Sequence, residues 1–226
     1  MGAIFSIVSI ASVTPIQQQT YFQLAVDFDP PNRGAPGDRG GDNAGSRDDS
    51  CNLLAMVPKT NLGLTTAEHP AFWLYVPTVP KSPRSLELVL RDESDREIYR
   101  TTFELTQGDG IVSFRLPETA PPLDVGQLYH WHVFCGNFAR DGWIERVAFS
   151  PEVESQLETA TPRERVLIFA EQGLWYETLT ELAGLRCSDP QNTQLLQDWA
   201  SLLQHEMVTL NEIVSASLLS CGTQPE

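Results

Sequence analysis

The stretch PPLDVGQLYHWHVFC (residues 121–135) decides the fold, because it joins a turn containing proline and glycine to a strictly alternating segment. From Tyr129 to Cys135, large apolar side chains occupy every second position. A period of two is typical of a β-strand that buries one of its faces. We therefore predict a core-facing set and an outward-facing set of side chains: Tyr129, Trp131, Val133 and Cys135 inward, and His130 and His132 outward.

Six other segments share this short, apolar strand character and are separated by turn signals. The seven strands are predicted at 53–57, 72–76, 86–90, 98–105, 111–116, 128–135 and 143–147. A series of such strands is typical of a β-sandwich. Tyr129 follows the turn as in the tyrosine corner of immunoglobulin and fibronectin type III sandwiches, where the hydroxyl bonds back to the preceding loop. The sequence predicts a mainly β protein with α-helices, whose seven-strand immunoglobulin/fibronectin-III-like sandwich spans 51–149.

After the sandwich, the hydrophobic period becomes helical, which predicts a small α-helical domain at 150–226. Thr161 opens a capping box with proline at the first helical position. Helices are predicted at 151–159, 162–172 and 175–187. One helix pair has the spacing of a tetratricopeptide repeat, carried by Gly173, Trp175, Leu182, Leu185 and Pro190. Such repeats are stable only when stacked, so the pair must pack on flanking helices or on the sandwich.

The last predicted helical stretch, 193–219, contains neither proline nor glycine. It is compatible with one long helix. However, Thr209 begins another capping-box sequence, Thr-Leu-Asn-Glu. We therefore predict a break near 207–209, followed by a helix that returns along the bundle.

Two segments precede the sandwich. Residues 1–28 start with the apolar run MGAIFSIVSIASV, which resembles the middle of a secretory signal, although the first basic residue is Arg33. The alternative is an additional first strand. Residues 29–50 are rich in proline, glycine and aspartate, and we predict a linker there, because so few apolar side chains cannot offset the loss of chain entropy.

Four cysteines allow three disulfide pairings. Cys51 and Cys135 lie at strand ends, and Cys187 and Cys221 lie at the same end of the predicted bundle. We predict one disulfide in each domain, Cys51–Cys135 and Cys187–Cys221, with four free thiols as the alternative. Disulfides persist in oxidising compartments, so we predict an extracytoplasmic protein, periplasmic or secreted. The alternatives are the cytoplasm and the thylakoid lumen.

The charge balance, 15 basic against 30 acidic residues, gives a net charge of −15 and argues against binding to nucleic acid or to anionic membrane surfaces. No stretch reaches the ~18 apolar residues that suggest a membrane span. His130 and His132 have a spacing that can hold a metal, but Cys135 points the other way and no carboxylate is near on the same strand. We assign no metal, cofactor or catalytic residue.

The prediction for function is a non-enzymatic protein-interaction or scaffolding module with a protein partner. Two alternatives stay open. One is a carbohydrate-active protein or other hydrolase that uses His69 of the polar loop 60–70, with Asp141 near it. The other is a structural subunit of a larger envelope or membrane-associated assembly. The candidate interaction residues are Glu68, His69, Trp175, Tyr176 and Glu177.

A family resemblance is carried by six stretches, PPNRGAPGDRGG (30–41), NLGLTTAEHPAFWLYVP (61–77), YRTTFEL (99–105), GIVSFRLPETAPPLDVGQLYHW (110–131), GWIERV (142–147) and TPRERVLIFAEQGLWYETLTELAGLR (161–186). They resemble a cyanobacterial family of predicted exported proteins, domain of unknown function 928, and the similarity covers most of 30–205. The resemblance implies an envelope protein and supplies no activity, ligand or catalytic residue. Family members usually carry a clear signal peptide and tend to have alanine where Thr178 stands, and this chain differs in both respects.

Overall fold

The computed structural model describes residues 26–31, 53–77, 84–105, 108–136, 138–219 and 221. Within these residues the protein is mainly β, with nine strands in two sheets and four α-helices. The strands are β1 (Leu54–Ala55), β2 (Leu62–Thr65), β3 (Ala71–Val76), β4 (Arg84–Asp92), β5 (Glu97–Leu105), β6 (Gly110–Arg115), β7 (Leu128–Cys135), β8 (Phe138–Arg146) and β9 (Ser217–Leu218). The helices are α1 (Pro151–Thr159), α2 (Pro162–Glu171), α3 (Trp175–Ser188) and α4 (Thr193–Gln204), and a 3-10 turn covers Asn211–Ile213.

Both sheets contain strands from distant parts of the sequence, and one of them also pairs strands that are neighbours along the chain. One sheet has the order β1-β3-β6-β9 and the other the order β2-β8-β7-β4-β5. Neighbouring strands run antiparallel, except that β2 pairs in parallel with β8, and β9 with β6. Because β3 pairs with β6 and β4 with β7, the chain crosses between the sheets, as it does in a sandwich.

Strands β2 and β9 are not among the seven predicted from the sequence. The segment 60–70, which we expected to be a polar loop, contains β2, so that expectation was wrong. Leu62 lies opposite Trp143 of β8, and this parallel partner supplies the hydrogen bonds of the strand. Strand β2 is only four residues long, and its partner β8 lies about eighty residues away in sequence. Its stability comes from that partner, so the local sequence carries no signal for the strand.

Strand β7 has the predicted alternation. Its core-facing side chains, Tyr129 to Cys135, are buried at every second position. The Tyr129 hydroxyl accepts a hydrogen bond from the backbone N–H of Asp124 (2.9 Å), which confirms the predicted corner. Opposite β7, Gly142 of β8 leaves room for the Trp131 ring, since a Cβ there would lie 2.6 Å from the ring. The strand therefore forms the centre of the sandwich core.

The first three helices begin and end close to their predicted positions. Ser150 caps α1, and Thr161 and Glu164 form the complete capping box of α2. Gly173 separates α2 from α3 with a φ of +67°, a conformation that favours glycine. A Cβ at Gly173 would also lie 2.5 Å from the carbonyl oxygen of Asp29. The glycine thus allows both the turn and the approach of the N-terminal segment.

The predicted returning helix after residue 209 was wrong. Helix α4 ends at Gln204, and Thr209 has a φ of +52°, which is outside the extended conformation of an N-cap residue. The chain instead forms the 3-10 turn and then β9, where Leu219 N–H donates to the carbonyl oxygen of Ile111 (2.8 Å). Val208 and Leu210 are fully buried, so the segment after α4 is held by the packing of these side chains and not by helical hydrogen bonds.

One hydrophobic core joins the sandwich to the helices and also includes residues that precede the predicted linker. Val26 and Phe28 are buried, and the Phe28 ring makes an edge-on contact with Trp175 (centroids 5.1 Å apart). Ser201 of α4 donates to the Val26 carbonyl (3.2 Å). The end of the predicted N-terminal segment is therefore core structure. The signal-like residues 1–25 and the linker residues 32–50 lie outside the part of the chain that the structure describes.

Candidate functional site

The first turn of α3 carries three of the predicted interaction residues to the junction of helix and sandwich. Trp175 is fully buried, and its indole N–H donates to the Met56 carbonyl (2.9 Å). Tyr176 packs above Gly63 of β2, where a Cβ would lie 2.8 Å from its ring. These two aromatic residues are almost fully buried, and they fix α3 on the sandwich.

The Tyr176 hydroxyl connects the helix to two strands. It accepts a hydrogen bond from the Trp131 indole N–H (2.8 Å) and donates one to the Trp143 carbonyl (3.1 Å). Burial raises the pKa of the Tyr176 phenol far above its usual range, so the group stays protonated. The arrangement holds the helix in register with β7 and β8.

Glu177 has an unusual set of hydrogen bonds for a carboxylate. Its Oε1 accepts from the Thr65 hydroxyl (2.6 Å), the Thr66 N–H (2.8 Å) and hydroxyl (3.2 Å), and the Ala67 N–H (3.2 Å). Its Oε2 is buried and has no hydrogen-bond partner among the described residues. Burial raises the pKa of this carboxyl, although the hydrogen bonds to Thr65, Thr66 and Ala67 favour the ionised form.

A pocket of about 150 Å³ lies beside this carboxylate, between the end of the sandwich and α3. We call it the junction pocket. The sandwich contributes Thr65, Ala67, Pro70, Ala71 and Arg115, and the helix contributes Tyr176, Glu177, Thr180 and Glu181. Sequence reasoning selected Glu177 but not the pocket, because the Glu177 partners lie more than a hundred residues away in the chain.

Glu68 and His69 lie between two residues that line the junction pocket, Ala67 and Pro70, but their own side chains make contacts outside it. The Glu68 carboxylate lies 3.2 Å from Arg146, and its side chain is 59% exposed. The His69 ring is bonded to the Ala120 carbonyl (3.1 Å). Asp141, the carboxylate considered for a hydrolase, bonds to His130. The structure thus does not bring His69 and Asp141 together as a catalytic pair.

The two outward-facing histidines form a half-buried cluster instead of a solvated pair. His130 lies 2.8 Å from Asp141 and stacks on Trp143 (centroids 4.1 Å apart) and against His132 (3.9 Å). Burial and the neighbouring His130 charge lower the pKa of His132 to about 4. Burial alone would raise the pKa of Asp141, but hydrogen bonds and the charge of His130 outweigh it and hold the pKa below its usual value.

The helical unit presents a second concave surface, between α1 and α2. This groove of about 380 Å³, which we call the α1–α2 groove, has an apolar part and an acidic part. Its lining residues are Gln156, Thr159, Ala160, Glu164, Leu167, Ile168 and Glu171. Helix α1 is only nine residues long and buries a single side chain, Val153. Most residues of α1 are exposed, so the helix has a large surface that nothing in the described residues covers.

The cysteines fall in both parts of the structure. Cys187, at the end of α3, forms a disulfide with Cys221, with Cα atoms 5.3 Å apart. Cys135 is also disulfide-bonded, and its predicted partner Cys51 lies outside the described residues.

Within the described residues, no group of three or more His, Cys, Asp or Glu side chains is arranged to hold a metal ion. In the same part of the chain, none of the helices has the length and apolar character needed to cross a bilayer.

Comparison with known proteins establishes the family. The fn3 domain of human collagen alpha-1(XX) chain is a structural neighbour at 14% identity and a TM-score of 0.25, over 50% of this chain and 94% of that chain. No curated protein matches the sequence. The family model described as Domain of Unknown Function (DUF928) matches residues 34–218, well over half of the chain. The protein therefore belongs to the DUF928 family.

Proposed function

We propose that this chain is a non-enzymatic, extracytoplasmic protein-binding module that docks a basic, amphipathic segment of a partner in the α1–α2 groove. The observation that carries the proposal is the groove itself, which combines half-exposed Leu167 and Ile168 with the carboxylates Glu164 and Glu171. An apolar surface rimmed by one sign of charge fits a segment with apolar residues on one face and the opposite charge at its edges.

The charges around the groove support a cationic partner. Helix α1 adds three exposed acidic residues, and the two arginines of α2 are engaged within the protein. Arg163 forms a two-pronged pair with Asp198 (2.7 and 2.9 Å), and Arg165 lies over the Phe169 ring (5.4 Å). These contacts leave the carboxylates as the dominant charge on this face.

The strand order and the tyrosine corner support a fibronectin-III-like sandwich as the scaffold. With β1, β3 and β6 as strands A, B and E, and β4, β7 and β8 as strands C, F and G, the pairings A–B–E and C–F–G are those of the immunoglobulin class. The α2–α3 pair, with its glycine turn, supports a tetratricopeptide-like unit. Disulfide bonding of Cys135 and Cys187 supports an oxidising compartment outside the cytoplasm.

Binding of a designed peptide tests the proposal directly. A fluorescent helical peptide of lysine and leucine should bind, while the same peptide with glutamate in place of lysine should not, as measured by fluorescence anisotropy. Ile168→Ser should weaken binding by about tenfold, from the loss of one apolar contact. Glu171→Lys should weaken it by roughly two- to fivefold, as expected for a rim charge.

Each variant has a matched control elsewhere on the surface. Leu196→Ser removes an aliphatic side chain elsewhere on the surface (40% exposed), and Glu206→Lys reverses another exposed carboxylate. Both should keep the affinity within about twofold. The natural partner is then sought by mild crosslinking and co-purification, and only a protein lost with Ile168→Ser but retained with Leu196→Ser supports the groove. Equal binding of both peptides, or equal losses in variants and controls, would contradict the proposal.

A further inference from the structure

The junction pocket has two chemically different walls. On the helix side, Glu177, Thr180 and Glu181 are spaced i, i+3 and i+4, which brings their side chains to one face of α3. The two carboxylates can accept hydrogen bonds, and the Thr180 hydroxyl oxygen, which already accepts one from the Trp73 indole N–H (3.1 Å), has a second lone pair to offer. On the sandwich side, Ala67, Pro70 and Ala71 present carbon atoms. The pocket thus offers acceptors along one wall, and along the other it offers apolar surface with Thr65 and Arg115 beside it.

The buried Oε2 of Glu177 needs a donor. Oε1 of the same carboxylate takes four hydrogen bonds from residues 65–67, whereas Oε2 takes none from the described residues. Buried polar atoms are rarely left in this state, and an exception points to a bound water, ion or ligand. Burial raises the pKa of Glu177, and a cation placed against Oε2 would stabilise the ionised form that burial disfavours.

Its size sets the pocket apart from a site for one water. One water needs a cavity volume of about 10–15 Å³, measured as the space open to the centre of a water molecule, and the volume of this pocket on the same measure is about 150 Å³. Several waters satisfy the oxygen atoms but gain nothing from the apolar wall. A ligand with several hydrogen-bond donors at one end and methylene groups behind them uses both walls.

We propose that the junction pocket binds the ammonium end of a primary alkylamine, such as a lysine side chain or a small free amine. The three N–H donors face Glu177 Oε2, Thr180 and Glu181, and the methylene groups lie along Ala67, Pro70 and Ala71. A primary ammonium suits this wall because it is a compact cation with three donors and no acceptor.

Arg115 is the positive charge that opposes such a ligand. It also lines the pocket, and its Nη1 donates to the His69 carbonyl (3.1 Å). Its side chain is exposed, so water screens its repulsion of a ligand cation. Arg115→Gln should therefore tighten binding by roughly two- to fivefold, the range expected for a screened charge.

The test is an NMR titration of the full chain with butylammonium chloride, against sodium chloride at equal ionic strength. The amides of Thr66 and Ala67 report directly, because both donate to Glu177 Oε1. We expect saturable shifts of these two amides with butylammonium only. Tetramethylammonium, which has the charge but no N–H donor, should produce none. Nα-acetyl-lysine amide separates the sources: equal or tighter binding supports a protein lysine, and binding of butylammonium alone supports a small free amine.

Substitutions complete the test. Glu177→Gln keeps an oxygen for the bonds from Thr65, Thr66 and Ala67 but removes the charge, and should weaken butylammonium binding by about tenfold or more. Glu181→Gln, which leaves those bonds untouched, should weaken it by roughly two- to fivefold. Glu68→Gln, an exposed carboxylate outside the pocket, is the matched control and should bind like the unmodified protein. Shifts that are linear, equal to those in sodium chloride, or unchanged by Glu181→Gln would mean that the pocket holds water only and would overturn the proposal.

Discussion

Replacing Tyr176 by phenylalanine tests whether the helices and the sandwich fold as one unit. The substitution removes one oxygen atom from a fully buried position and leaves the ring packed above Gly63. Two hydrogen bonds are lost. The Trp131 indole N–H, itself fully buried, loses its acceptor, and the Trp143 carbonyl loses a donor.

The magnitude follows from the two lost bonds. Leaving the buried indole N–H without a partner costs about 1–3 kcal/mol, and losing the bond to the carbonyl costs about 0.5–1.5 kcal/mol. We therefore expect Tyr176→Phe to lower the free energy of unfolding by about 2–4 kcal/mol. For a chain of this size that corresponds to a fall in Tm of roughly 5–15 °C.

Urea unfolding followed by tryptophan fluorescence and by far-ultraviolet circular dichroism measures the effect. The two signals should give one coincident transition, because Trp131, Trp175 and Trp199 share one core. Tyr99→Phe is the matched control, since the Tyr99 hydroxyl of β5 makes no hydrogen bond within the described residues, and it should cost less than about 0.5 kcal/mol. Equal effects of the two substitutions, or an earlier separate loss of helical signal in the unmodified protein, would refute the reasoning.

Three further predictions concern stability. Asp198→Asn should cost about 1–3 kcal/mol, because it removes the charge of buried Asp198 while Arg163, whose side chain is 31% exposed, keeps contact with water; urea unfolding will measure the cost. Cys187→Ser with Cys221→Ser should lower the free energy of unfolding by about 3–4 kcal/mol, the value for a loop closed across 34 residues, again by urea unfolding. The His132 pKa of about 4 lies below its unfolded value, so the unfolded state binds more protons and stability should fall as pH drops from about 6.5 to about 4, by about 1–2 kcal/mol once solvent screening of the partly exposed ring is taken into account. His132→Gln should remove that part of the pH dependence in parallel unfolding curves at each pH.

The features that sequence predicts well are those whose cause is local. The alternation of β7 and the capping box at Thr161 each depend on side chains a few residues apart, and both are present as predicted. Gly173 likewise breaks the helix because its own φ is positive. Periodicity, caps and turns are encoded in consecutive residues, so one sequence suffices to find them.

The candidate sites depend on contacts that no local pattern contains. The Oε1 bonds of Glu177 join α3 to β2, which the sequence did not predict as a strand. Asp141 meets His130 because β7 and β8 form a hairpin in a register that only the pairing reveals. The first sheet is completed by β9, a two-residue strand from the far end of the chain. Sequence therefore selected Glu177 as an interaction residue without showing what surrounds it.

The two sheets explain how the α2–α3 helix pair is stable without a stacked repeat beside it. In a stacked array the inner face of each helix pair is buried by the next repeat. Here α3 buries Trp175, Tyr176 and Leu179 in the core shared with the sandwich, so the sheets supply the surface that another repeat would supply. The opposite flank, formed by α1, has no such cover and buries only Val153. The same asymmetry that stabilises α3 therefore leaves α1 and α2 available, and a partner that docks there should stabilise α1 more than any other helix.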